Sequence, residues 1–198
     1  MKTISESYPL LNELAEQEGV VILGGAEDMN IPLGELKQAF SFDTNLYNRS
    51  VEDLSVVNAR DYYDLYIASL KPSCVMLHLG VRDRELYVMN PDVFNRFYRD
   101  LIAHIRENHP RCEIAIISIA NPSGDPIIDD MNKHLRHIAD SERCQFGDVT
   151  TPRVWNPRET RSVTSFIYSI GFIRPLTNKH PLGDLIRVLF CYNQKQAC

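Results

Sequence analysis

The stretch Gly19–Asn30, reading GVVILGGAEDMN, limits what this chain can fold into more than any other. Val20 to Leu23 are an uninterrupted apolar run, the pattern of a strand buried on both faces. Gly24 and Gly25 stop it abruptly, and adjacent glycines let the backbone turn tightly or approach another group closely. Pro32, followed by apolar Leu33, Leu36, Ala39 and Phe40, then has the spacing of a helix. A buried strand, a turn and a helix open a parallel α/β sheet, and the turn lies at the carboxyl edge, where such sheets bind ligands.

The rest of the chain repeats the alternation. Residues 8–18 predict a helix lying on the sheet through Leu10, Leu11, Leu14 and Ala15, and Asn45–Val51 the second strand. Residues 58–70 have helical spacing in Ala59, Tyr62, Tyr63, Tyr66, Ile67 and Leu70. Lys71-Pro72 ends that helix, because the residue before proline avoids the α region. Cys74–Leu79 (CVMLHL) is a buried run closed by Gly80, and Pro91 begins a helix to about Glu107 with Val93, Phe94, Phe97, Leu101, Ile102 and Ile105 inward. Glu113–Ala120 (EIAIISIA) is the clearest strand, followed by an Asn121-Pro122-Ser123-Gly124 loop. Residues 126–140 predict a helix with Ile127, Ile128, Met131, Leu135 and Ile138 on one face, and Gln145–Val149 a short fifth strand.

Strands alternating with helices imply right-handed crossovers. The expected fold is therefore α/β: one doubly wound, flavodoxin-like three-layer domain over residues 1–198, with a five-stranded parallel sheet in the order 2-1-3-4-5. The alternation weakens after Val149. Residues 150–180 read as a long irregular loop region that includes Thr150–Arg161 (TTPRVWNPRETR) and the apolar Ser165–Ile173, before a last helix over Leu182–Phe190.

A chain of 198 residues suits one domain, and its net charge of −5 argues against general nucleic-acid binding. Five cysteines, an odd number without metal-like pairing, point to a reducing compartment, with Cys74, Cys112 and Cys191 as buried thiols. Met1–Tyr8 is too polar for a signal peptide, and no stretch is long enough to cross a bilayer. The expectation is a cytoplasmic protein without cofactor or metal and without nucleic-acid or membrane partners.

LGGAED resembles the first sequence block of the SGNH (GDSL-type) hydrolases, whose strand ends in Gly-Asp-Ser. Gly24 matches, Gly25 replaces the Asp, and Ala26 replaces the nucleophilic Ser. The likeness continues along the chain. In Tyr47-Asn48-Arg49-Ser50, Ser50 stands where the second block supplies a glycine to the oxyanion hole. Gly80-Val81-Arg82-Asp83 resembles the third block, with Arg82 in place of the oxyanion-hole Asn. His180 fits the catalytic His of the fifth block, but Thr177 stands where its Asp belongs, and Asn132-x-x-Leu135 is also similar to the family. The resemblance implies a cleft of Gly24, Ala26, Glu27, Asp28, Ser50, Gly80, Arg82 and Asp83, with His180 as a remnant base. Ala26 cannot form an acyl-enzyme, Thr177 cannot stabilise an imidazolium as a carboxylate does, and Arg82 reaches differently from an amide.

Other groups carry two readings each. Glu27, Asp28 and Asp83 could gather on a cation, or as acids at helix starts simply favour the dipole. The Gly24-Gly25 turn could hold an anion, which Glu27 and Asp28 would repel, or be purely structural. His134 and His137 share a helical face, more in keeping with solvent than with a metal, and the glycosylation pattern Asn48-Arg49-Ser50 falls at a strand end and reads as accidental. Arg153, Trp155, Arg158, Arg161 and Arg174 could cover the cleft and clamp an anion or partner, or pair with surface acids. Three functions follow. The first is an SGNH-like domain without serine-hydrolase activity, binding a small polar ligand or protein partner at the old active-site edge. The second is an active esterase with a rearranged site, using Ser50 or Ser123 with His180. The third is a flavodoxin-like binding module.

Overall fold

The computed structural model describes residues 4–40 and 44–148. The expected cover loop with Arg153, Trp155, Arg158, Arg161 and Arg174, the apolar 165–173 segment, Thr177, His180, the 182–190 helix and Cys191 lie outside the described residues.

Five strands, β1 (Val20–Gly24), β2 (Leu46–Asn48), β3 (Cys74–His78), β4 (Glu113–Ile117) and β5 (Gln145–Gly147), form one sheet in the order β2-β1-β3-β4-β5. Every pairing is parallel, as the sequence predicts. The helices are α1 (Tyr8–Leu14), α2 (Leu33–Phe40), α3 (Ala59–Tyr66), α4 (Arg84–Met89), α5 (Pro91–Asn108) and α6 (Pro126–Ser141).

Register decides which side chains share a face. Val21 pairs with Val75 and Val75 with Ile114, while Leu23 pairs with Leu77 and Leu77 with Ile116. These six build the main core with Tyr63 of α3, Phe94 and Tyr98 of α5, and Met131 and Leu135 of α6. Burying a side chain such as Phe94 stabilises the fold by roughly 1.5–3 kcal/mol. On the other face lie Val20, Ile22, Cys74, Met76, Ala115 and Ile117, also buried. The β1–α2–β2 connection runs opposite to the other crossovers, so right-handedness places α2 on that second face.

Several boundaries differ from expectation. The first helix ends at Leu14 instead of 18, because Ala15 turns extended (ψ 144). Leu10, Leu11 and Leu14 do not pack on the sheet but are 63%, 43% and 80% exposed. Polar bonds seat this helix instead: Tyr8 Oη donates to the Ser50 carbonyl (2.8 Å) and Asn12 Nδ2 to the Tyr66 carbonyl (2.8 Å). The 58–70 helix breaks at Ile67 and finishes as a 3-10 turn over Ala68–Leu70, with Lys71 left-handed (φ 45). α4 has no counterpart in the sequence reading, since six residues are too few for periodicity to register. Asn90, extended, separates it from α5 and caps α5 by accepting from Val93 N. β2, β3, β4 and β5 each stop short of the expected ends at Val51, Leu79, Ala120 and Val149. The apolar runs continue past the ladder, into the loops that build the carboxyl edge.

Candidate functional site

The strand order reverses between β1 and β3, and the crevice outside their carboxyl ends is where open α/β sheets bind ligands. There Gly24, the last residue of β1, pairs with His78, the last residue of β3. Beyond Gly24 the chain passes through extended Gly25 (φ −85, ψ −162) into a 3-10 turn over Ala26–Asp28. That turn folds both carboxylates back over the glycines. A Cβ built on Gly24 would fall on Asp28 Oδ2, and one on Gly25 would lie 2.9 Å from Glu27 Oε2. The pair of glycines therefore serves close approach, and neither has a positive φ.

Asp28 Oδ2 so reaches His78 Nδ1 at 2.7 Å, with the two side chains 2% and 6% exposed. Burial alone would lower the His78 pKa, but the charge and hydrogen bond of Asp28, with help from Glu27 and the Ser118 main chain, outweigh it and raise it. Glu27 is exposed, yet its carboxylate lies against Gly25. Desolvation and the charge of Asp28 raise its pKa, against its own backbone N–H, His78 and Arg82. Ligating atoms of Glu27, Asp28 and His78 all lie within 4.8 Å of one another.

A raised histidine pKa has a definite sign in stability. The folded state holds the His78 proton more tightly than the unfolded chain, whose value is near 6.5. Its contribution is complete below that value and is lost as pH rises through the folded pKa. His109, lowered chiefly by burial, acts on the other side of 6.5 and with opposite sign. Urea denaturation should therefore show the protein losing stability above about pH 6.5, a slope that His78→Gln removes. A wild-type curve flat or rising across that window would contradict the ion pair.

The end of β2 supports this turn. Asn48 Nδ2 donates to the Asp28 carbonyl (2.7 Å), and Asn48 Oδ1 accepts from Ser50 N (3.0 Å). With both amide functions engaged, Asn48 is built into the fold. Ser50 is fully buried, and its Oγ has no hydrogen-bond partner among the described residues. Its hydroxyl is thus turned into the core and away from the crevice. Buried Arg49 donates to Asn12 Oδ1 and the Asn48 carbonyl between the rings of Tyr8 (4.9 Å) and Tyr47 (5.5 Å).

At the end of β3, Gly80 (φ 116) opens a 3-10 turn over Val81–Asp83. Asp83 is 2% exposed and accepts from Ser55 Oγ (2.5 Å) and Val56 N (3.2 and 3.1 Å). Those bonds commit it to the 55–56 loop, and His78, instead of Asp83, joins Glu27 and Asp28. Exposed Arg82 donates to the Glu52 carbonyl (2.9 Å). At the end of β4, Asn132 clamps Ile119 from both sides, accepting from its N–H (2.7 Å) and donating to its carbonyl (2.9 Å). Beside it lies a cavity of about 300 Å³ lined by Ser118, Asp129, Asn132, Lys133, Arg136, Phe146 and Asp148. His134 bonds Asn95 (3.1 Å) and stacks edge-on against Tyr87, while His137 is exposed, so the two do not converge.

The parallel sheet thus brings Gly24, Ala26, Glu27, Asp28, Ser50, Gly80, Arg82 and Asp83 to one edge, with Ala26 exposed at its rim. His78 is the residue the sequence reading passed over. Its signal was a lone polar side chain ending an otherwise apolar run.

Among solved structures, a GDSL-like lipase from Bacteroides thetaiotaomicron matches at a TM-score of 0.58 and 16% identity, over 98% of this chain and 96% of that one. The chain has the SGNH-hydrolase fold. An acetyl xylan esterase is similar to this chain at a TM-score of 0.60 and 14% identity, covering 90% of this chain and 98% of the esterase. A catalytic mutant of an acetylxylan esterase from Geobacillus stearothermophilus gives 0.55 and 14%, over 83% and 97%. No family profile matches the sequence, and no curated protein matches it. Among the described residues, no helix is long and apolar enough to cross a membrane.

Proposed function

We propose that this SGNH-fold chain binds a small polar ligand at the β1–β3 edge and does not run serine hydrolysis. One observation carries the reading: the position after β1 where the family places its nucleophile is the methyl of Ala26, beside a buried Asp28–His78 pair. The hydroxyl of Ser50, just past β2, is buried in the core. Arg82, where the family has its oxyanion-hole Asn, donates one N–H to the Glu52 carbonyl. What remains accessible is polar: the Glu27 carboxylate and the Arg82 guanidinium at the rim of the crevice.

Purified protein should neither turn over short aryl esters nor label with a fluorophosphonate probe, and Ala26→Ser alone should leave both results unchanged. A serine attacks only when a base takes its proton, and losing a single oxyanion-hole donor already costs roughly 10²–10³ in rate. Probe labelling of wild type that disappears in Ser123→Ala would establish an active esterase instead. An acyl-enzyme burst from Ala26→Ser would show that the rest of the machinery is intact. A thermal-shift screen of nucleotides, sugars and small acids, repeated on Glu27→Gln and Arg82→Gln, then identifies the ligand class.

A further inference from the structure

We propose that Glu27, Asp28 and His78 form a binding site for a divalent transition-metal ion of the zinc class at the β1–β3 switch point. It deepens the reading above, since an ion held by three side chains keeps open positions through which a small polar ligand attaches.

The donor set comes first. One imidazole nitrogen and two carboxylates suit zinc or manganese, whereas calcium and magnesium prefer oxygen alone. The three donors come from the ends of two adjacent strands, and their ligating atoms lie within 4.8 Å of one another. Donors around an ion at about 2.1 Å stand roughly 3–3.5 Å apart. Asp28 and His78 are already at 2.7 Å and need to part slightly. Glu27, exposed at the rim, supplies the third ligating atom within 4.8 Å of the other two.

The backbone is adapted to this grouping. Gly24 and Gly25 lack side chains where Asp28 and Glu27 fold back; alanine at 24 would displace the Asp28 carboxylate, and alanine at 25 would make the Glu27 carboxylate shift. The His78 ring is buried and fixed in place by its Nδ1 contact with Asp28 Oδ2 at 2.7 Å. Charge points the same way: two carboxylates face one imidazole. Arg82, the other cation acting on Glu27, is held on the Glu52 carbonyl. On binding, the ion takes the place of the Nδ1 proton shared with Asp28, and that proton leaves to solvent.

The test uses the full chain, stripped with chelator and titrated with Zn²⁺ alone by calorimetry, then with Co²⁺ for its visible spectrum. Stoichiometric Zn²⁺ binding is expected, weakened at least about tenfold in Glu27→Gln, a change at an exposed side chain that leaves the fold intact. Co²⁺ should give ligand-field bands without thiolate charge transfer. Arg82→Gln should tighten binding by removing an opposing charge. Failure to bind, equal affinity in Glu27→Gln, or a thiolate spectrum from the cysteines would each overturn the site. The two readings fail separately. Fluorophosphonate labelling refutes the non-hydrolase reading whatever the metal result, and absence of Zn²⁺ binding refutes the metal site whatever the probe shows.

Discussion

Asp28→Ala should cost about 3–5 kcal/mol of folding stability, because it leaves the His78 imidazole buried without its hydrogen-bonded carboxylate, and exposed Glu27 does not replace that bond. The pair is a 2.7 Å contact between side chains 2% and 6% exposed, so solvent cannot take over the role of Asp28. A domain of this kind holds a net stability of only about 5–15 kcal/mol, so the loss should show as a large fall in the urea midpoint. The neighbouring anchor of the turn survives the change, since Asn48 bonds the Asp28 main chain and not its side chain. The double change Asp28→Leu, His78→Leu is the informative companion. Replacing both members of a buried pair by apolar groups of similar volume is often neutral, so much of the loss should return. A cost below about 1 kcal/mol for Asp28→Ala would mean that the charges are already solvated, and the account of a closed pair would be wrong.

Gly80→Ala should be the most damaging of the glycine substitutions in the loops. Its φ of 116 is a conformation that side-chain-bearing residues rarely adopt, and a Cβ there would lie 2.8 Å from Ile119 Cδ1. The backbone strain costs roughly 1–3 kcal/mol, and only the steric part can relax, because Ile119 Cδ1 is the tip of a side chain. Strain at Gly80 passes into the Val81–Asp83 turn and loosens the bonds from Ser55 and Val56 to Asp83. Two other glycines separate the terms. Gly124 (φ 68) has nothing within 4 Å and reports the backbone strain alone. Gly34, in α2 with nothing within 4 Å of its Cβ, should gain roughly 0.5–1 kcal/mol as alanine. Thermal unfolding that ranked Gly80→Ala as milder than Gly124→Ala would show that the Gly80 backbone can rearrange.

The sheet was legible because buried parallel strands announce themselves. VVIL, CVMLH and EIAII are short apolar runs bounded by turn residues, the pattern of strands covered on both faces, and the helical spacing between them leaves few topologies. The leucines of α1 were misleading because three apolar residues at helical spacing say nothing about what they meet. The hydroxyl of Tyr8 and the amide of Asn12 decided where that helix sits. Ser50 shows the same limit within the site. Its strand-end position was readable from TNLYNRS, but whether the hydroxyl faces solvent or core depends on neighbours brought from residues 8 and 24.

By itself the sequence determined the layer architecture, the strand order and the alanine that follows β1, since each of these depends on local pattern or on one residue's identity. The alanine after β1 lacks an oxygen in any conformation. Tertiary structure alone decided what stands there instead. His78 is separated from Asp28 by fifty positions. Only the parallel register that sets Gly24 beside His78, and the room left by a missing Cβ, allow a carboxylate to fold back onto an imidazole on the next strand. Hydrophobic periodicity encodes which faces are buried, but it carries no information about which strand ends become neighbours' partners at a switch point.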